Sequence, residues 1–167
     1  QVRRRGAPFV EALQSQMPAI RILSLYQLSV VAPLFESADP DRIAAQLEGH
    51  HYGLLPAFID GMLDAIGPEA AIIDGNEPAY YYEDEAPYAR AYVALAQGAQ
   101  RLVSPVNRAT YRRQSQVGMA IYYDQILALR SPGPAFIAHF MTQAQRLAFL
   151  EHNVYWSLAT ADEYAWL

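Results

Sequence analysis

The feature that most constrains this chain is a rhythm of short apolar runs. Ile20-Arg21-Ile22-Leu23-Ser24-Leu25-Tyr26-Gln27-Leu28, Ala70-Ala71-Ile72-Ile73-Asp74 and Val117-Gly118-Met119-Ala120-Ile121-Tyr122-Tyr123 are short and rich in branched or aromatic residues, so each reads as a strand. A fourth run begins at Glu163-Tyr164-Ala165-Trp166-Leu167. The centres fall near residues 24, 72, 120 and 165, at intervals of 48, 48 and 45 residues. Each interval holds an amphipathic helix. Strand, helix, strand at regular spacing is the pattern of parallel β/α units. The expected class is therefore α/β, with four consecutive β/α units forming half of a (β/α)8 barrel; eight such units would need roughly 380 residues. The rival, an open doubly wound sheet, usually carries a glycine-rich phosphate loop after its first strand. Neither G-x-G-x-x-G nor a P-loop occurs here.

The helices are marked by periodicity. Leu55, Phe58, Ile59, Met62, Leu63 and Ile66 share one face, Asp60 and Asp64 the opposite one, and Gly67-Pro68 ends the run. Tyr88, Tyr92, Leu95, Ala99 and Leu102 outline a second helix. Phe136, Ile137, Phe140, Met141, Ala144, Leu147 and Ala148 outline a third, which a short helix follows through Trp156. A weaker stripe predicts a helix over residues 8–16, closed by Pro18. Asp39-Pro40 reads as an N-cap followed by the first helical residue. Ser131-Pro132-Gly133-Pro134 reads as a loop.

Composition removes several function classes. Of 167 residues, 53% are apolar and 17% charged, a globular balance. A net charge of −5 implies no basic surface, so nucleic acid is not an expected partner. Arg3-Arg4-Arg5 reads as a solvated helix end. With no cysteine, disulfides and thiolate metal sites are excluded. No run approaches the roughly 18 apolar residues of a membrane span. The chain starts at Gln1 and stops within an apolar run, from which the expectation is one partial domain over residues 1–167, truncated at both ends. Half a barrel leaves two open strand edges, so its missing half or a second copy is an expected partner. The sequence does not locate the protein; an extracellular or periplasmic setting follows only if a glycan is the substrate.

In parallel β/α folds, working residues gather beyond the C-terminal ends of the strands. Tyr26, Gln27 and Ser29 follow the first strand, Asp74, Asn76 and Glu77 the second, and Tyr122, Tyr123 and Asp124 the third. Carboxylates, amides and aromatic rings recurring at strand ends suit carbohydrate, which offers hydroxyls to the first two and apolar ring faces to the third. Glycoside hydrolysis typically uses two carboxyl groups flanking the scissile bond. Glu77 is the first catalytic candidate, and Asp124 or Asp74 the second. Tyr26, Gln27, Asn76, Tyr80, Tyr81, Tyr82, Tyr122 and His51 are the candidates for substrate contact. Each has a plainer reading: Asp74 before Gly75 as a turn-former, Asp124 as a cap, Glu77 as a loop acid, and some of the Tyr80-Tyr81-Tyr82 rings as packing. His50-His51 is no metal motif, because adjacent histidines on a regular element diverge. No metal or cofactor is expected for the hydrolase.

Ala71-Ile72-Ile73-Asp74-Gly75-Asn76-Glu77 with Tyr80-Tyr81-Tyr82, the stretch over residues 51–62, and Asp162-Glu163-Tyr164-Ala165-Trp166-Leu167 resemble a group of uncharacterised bacterial proteins similar to glycoside-hydrolase barrels. The resemblance covers most of the chain. It implies a (β/α)8 barrel of which this chain is the C-terminal half. The expected function is a glycosidase-like, carbohydrate-active hydrolase. The alternatives are a carbohydrate-binding barrel without catalysis, or a non-carbohydrate, metal-dependent α/β enzyme.

Overall fold

The computed structural model describes residues 1–129, 134 and 136–167; the loop expected at Ser131-Pro132-Gly133 lies outside them. In chain order, helix α1 (Arg3–Gln14) leads to strand β1 (Arg21–Ser24), a 3-10 segment (Ser29–Glu36), α2 (Pro40–Glu48) and α3 (Leu55–Leu63). Strand β2 (Ala71–Asp74), a 3-10 turn (Glu77–Tyr81) and α4 (Glu85–Ala96) follow. Two further 3-10 turns (Gly98–Leu102 and Pro105–Asn107) lead to α5 (Arg108–Gln114), β3 (Ser115–Val117) and β4 (Met119–Ala120). The one-turn helix α6 (Tyr123–Ile126), a 3-10 turn (Ile137–Phe140), the long helix α7 (Gln143–Thr160) and β5 (Ala165–Trp166) complete it.

This corrects the expected fold. The described residues are mostly helical, and their strands form two small parallel sheets, β1-β2-β3 and β4-β5, with no four-unit barrel arrangement. The reason lies at Gly118. The third apolar run is two short strands, and the chain changes partner between them. Gly118 N–H donates to the Asp74 carbonyl at 2.7 Å, whereas Met119 N–H donates to the Tyr164 carbonyl at 3.2 Å. A Cβ at Gly118 would sit 3.2 Å from Ile73 Cγ2 and from the Tyr164 carbonyl, so a side chain would crowd the crossing.

β2 is the centre of the larger sheet. All four of its residues are buried, with Ile22 opposite Ile72 on one side and Gln116 opposite Ile73 on the other. Leu28, Val31, Ile72, Tyr88, Leu95 and Met119 join one apolar cluster around it. Each fully buried side chain of this size contributes roughly 1.5–3 kcal/mol. Tyr88 brings a polar atom inside, and its hydroxyl donates to Asn153 Oδ1 of α7 at 2.5 Å. Burial pushes the Tyr88 hydroxyl up to about 12.

α1 packs on α3 through glycines. A Cβ on Gly61 would lie 1.8 Å from the Arg3 carbonyl, and one on Gly6 2.3 Å from the Phe58 carbonyl. This contact explains why α1 starts at Arg3 rather than near Pro8. Arg4 and Arg5 are exposed, as expected of a solvated helix end, and Arg3, itself 40% exposed, is tied to the acidic face of α3. Arg3 pairs with Asp60 at 2.7 Å and with Asp64 at 2.6 Å. Asp60, buried, also accepts from Ser104 N–H at 3.1 Å, Ser104 Oγ at 2.8 Å and Asn107 Nδ2 at 3.0 Å.

Two other expectations divide. Asp39 caps α2, accepting from Asp41 and Arg42 N–H groups, with Pro40 first in the helix. The helix expected from Phe136 is interrupted before Thr142, which opens α7 with a capping box to Gln145. α7 buries Asn153 and Ser157 and leaves Leu147 exposed, contrary to the apolar stripe. Among the described residues no helix is long and apolar enough to cross a membrane.

Candidate functional site

Beyond the ends of β1 and β2 the chain is held by backbone contacts that leave little choice of residue. Gly75 N–H donates to the Ser24 carbonyl at 2.8 Å, and Glu77 N–H to the Leu25 carbonyl at 3.0 Å. A Cβ on Gly75 would lie 2.6 Å from the Ser24 carbonyl oxygen and 2.7 Å from Trp166 Nε1. The Trp166 indole donates to the Gly75 carbonyl at 2.8 Å, fastening β5 to this turn. Asn76 follows with φ of 45°, in the left-handed region that Asn tolerates better than most residues. That reversal starts the Glu77–Tyr81 turn and carries the Glu77 side chain off the strand line.

Asp74 organises the same corner from inside. Its Oδ2 accepts from Ser29 N–H at 2.7 Å, and its Oδ1 from Ser29 Oγ at 2.6 Å and Asn76 N–H at 3.0 Å. Burial raises its carboxyl above the ordinary aspartate value, against the opposing pull of these hydrogen bonds. Gln27, also buried, donates to the Ile73 carbonyl at 3.0 Å. Asn76 donates to Met119 Sδ at 3.1 Å and lies 3.4 Å from the Tyr82 hydroxyl.

Above this corner lies a cleft of about 420 Å³. Tyr26 and Val30 line it from the segment after β1, Tyr52 from the turn before α3, and Glu77, Pro78, Tyr80 and Tyr81 from the turn after β2. The Tyr26 hydroxyl donates to that of Tyr52 at 2.7 Å, and their rings meet edge to face at 4.9 Å. Tyr80 stacks on Tyr122 at 4.4 Å and leans on Trp166 at 5.3 Å, so its ring is held from behind. The Glu77 carboxylate has no hydrogen bond or ion pair to any described residue. Its charge is still felt. The Tyr26 hydroxyl is raised by its bond to Tyr52, by desolvation, and by the charges of Tyr52 and Glu77. Tyr80 is raised by burial first, then by Glu77, Tyr122, Asp124 and Tyr81.

Of the residues nominated from sequence, Tyr26, Glu77, Tyr80 and Tyr81 meet in this cleft, with Tyr122 as backing. Asp74, Gln27 and Asn76 do not line it. They are buried and hydrogen-bonded beneath it, where they hold the loops. Tyr82 turns inward, its ring 5.0 Å from Tyr88. His51 lies outside the cleft walls, its ring 5.9 Å from Tyr52. Asp124 sits on α6, near enough to raise Tyr80 but not among the lining residues. Tyr52 and Val30 were missed. Tyr52 directly follows the nominated His51, and nothing in its local sequence distinguishes it from a surface aromatic. Among the described residues no group of three or more His, Cys, Asp or Glu side chains is placed to hold a metal ion.

No family model, curated protein or solved structure matches this chain.

Proposed function

We propose that the tyrosine cleft binds carbohydrate and that Glu77 is the carboxylate acting on the bound sugar. One observation carries this reading: four tyrosines and a carboxylate without a partner among the described residues line a single cleft. Aromatic rings stack on the apolar faces of sugar rings, and an uncommitted carboxylate accepts from hydroxyls. The rigid corner beneath the cleft supports it further, because stacking platforms gain affinity when they are fixed before the ligand arrives. The test is calorimetric titration of the full chain with a panel of soluble oligosaccharides. A responsive glycan should lose roughly tenfold in affinity with Tyr26→Ala and with Tyr80→Ala, the scale of about 1.4 kcal/mol. Unchanged affinity in both variants would reject the site.

Hydrolysis is the second reading. It is favoured by the nearness of both Glu77 and Asp124 to Tyr80, whose hydroxyl, raised first by burial, is raised further by both carboxylates. In that reading Glu77 protonates the leaving oxygen or attacks the sugar, and Asp124 supplies the second carboxyl group. Turnover of a responsive glycan that is lost in both Glu77→Gln and Asp124→Asn supports it. Turnover that survives Glu77→Gln removes it and leaves binding.

A further inference from the structure

We propose that the saccharide taken by this cleft is cationic: an amino sugar with a free ammonium group, rather than a neutral or acidic glycan. This rests on the carbohydrate reading of the same cleft and names its substrate class.

The first argument is the balance of charge. Among the described residues, Glu77 is the one carboxylic acid in the lining, and no arginine or histidine lines the cleft. Its carboxylate has no cation or donor among the described residues. A neutral sugar lying over Glu77 would remove water from a charge and return only hydroxyl hydrogen bonds. An acidic sugar would set like charges together. An ammonium group supplies both a counter-charge and several donors.

The second argument is aromatic. Tyr26, Tyr52, Tyr80 and Tyr81 line the same cleft as the carboxylate, and tyrosine rings attract cations to their faces. A carboxylate set among aromatic rings is the chemistry by which proteins recognise organic ammonium ions. The Tyr26 hydroxyl spends its hydrogen on Tyr52 at 2.7 Å, so its oxygen keeps an acceptor site for an incoming N–H.

The experiment uses the full chain and defined probes: hexamers of glucosamine and of N-acetylglucosamine, with the corresponding galactosamine pair, titrated at a pH where the free amine is protonated. The expected result is at least tenfold tighter binding of a free-amine hexamer than of its acetylated counterpart. In Glu77→Gln, checked for native circular dichroism, that preference should fall to about twofold or less. Equal or tighter binding of an acetylated hexamer overturns the cationic assignment while the carbohydrate reading stands. A preference that persists undiminished in Glu77→Gln also overturns it, because attraction to an acidic chain of net charge −5 then accounts for the result. Binding of none of the four overturns it too; whether any neutral glycan of the wider panel binds then decides the fate of the carbohydrate reading.

Discussion

Asp60 and Glu77 belong to regions that treat a carboxylate in opposite ways. Asp60, on α3, is buried and met by four donors: Arg3, the Ser104 amide and hydroxyl, and Asn107. Glu77, half-exposed beyond β2, is met by none among the described residues, yet it stands between tyrosines in a cleft. A buried charge must be compensated locally or it destabilises the fold. The first region therefore uses its acid to join α1, α3 and the turns at residues 104–107. The second leaves its acid without a partner among the described residues. The neighbouring glycines differ in the same sense. Gly61 allows two helices to touch, whereas Gly75 lets a backbone turn pass beneath Trp166 and present the cleft.

The largest expected effect falls on the helical region. Gly61→Ala forces a methyl group against the Arg3 carbonyl and should destabilise the fold by about 3 kcal/mol, lowering the melting temperature by roughly 6–12 °C in a chain of this size. A shift under about 2 °C would mean that α1 does not pack there in solution. Asp60→Ala comes next. It strands the Ser104 and Asn107 donors and one arm of Arg3, at a cost of about 2 kcal/mol by urea denaturation, with glycan affinity unchanged. An equal loss of affinity would erase the distinction between the two regions.

A titration sharpens the comparison through two other aspartates. The Asp64 carboxyl is held below its ordinary 3.8 by its hydrogen bond to Arg3. Its contribution is therefore fully present above that value and is lost as the pH falls through the lower folded value. Asp74 runs the other way. Burial raises it above 3.8, so its ionisation costs stability at neutral pH, and the cost is relieved as the pH falls through its raised value. Denaturation midpoints from about pH 7 to about pH 3 should show Asp74→Asn without the gain on mild acidification, and Asp64→Asn with a weaker loss at the acid end. Identical profiles for both variants would contradict the assignment. Glu77→Gln should move stability least, within about 0.5 kcal/mol, while weakening or abolishing the response to glycan.

Part of the cleft was legible before any coordinates. Glu77 and Tyr80 stood out because a strand of apolar residues ends at Asp74 and polar chemistry follows at once. Tyr26 stood out for the same reason after β1. At Asp74 composition is silent on whether a strand-end carboxylate faces solvent or is met by Ser29, a residue 45 positions away. The pattern failed at Tyr52 because its contact with Tyr26 is made only when the turn before α3 meets the segment after β1. It failed for the barrel because apolar rhythm records where strands lie, whereas the change of hydrogen-bond partner at Gly118 divides them into two sheets.

The sequence by itself determined the local elements: the apolar core of β2, the Asp39 cap of α2, and an acidic, aromatic segment after the second strand. These follow from side-chain periodicity and backbone preference, which act over a few residues. Tertiary structure alone decided which acids are bound and which are free, because a carboxylate's fate depends on the donors that distant segments bring to it. It also decided that four tyrosines from three segments share one cleft, since that convergence is set by loop paths that no local pattern encodes.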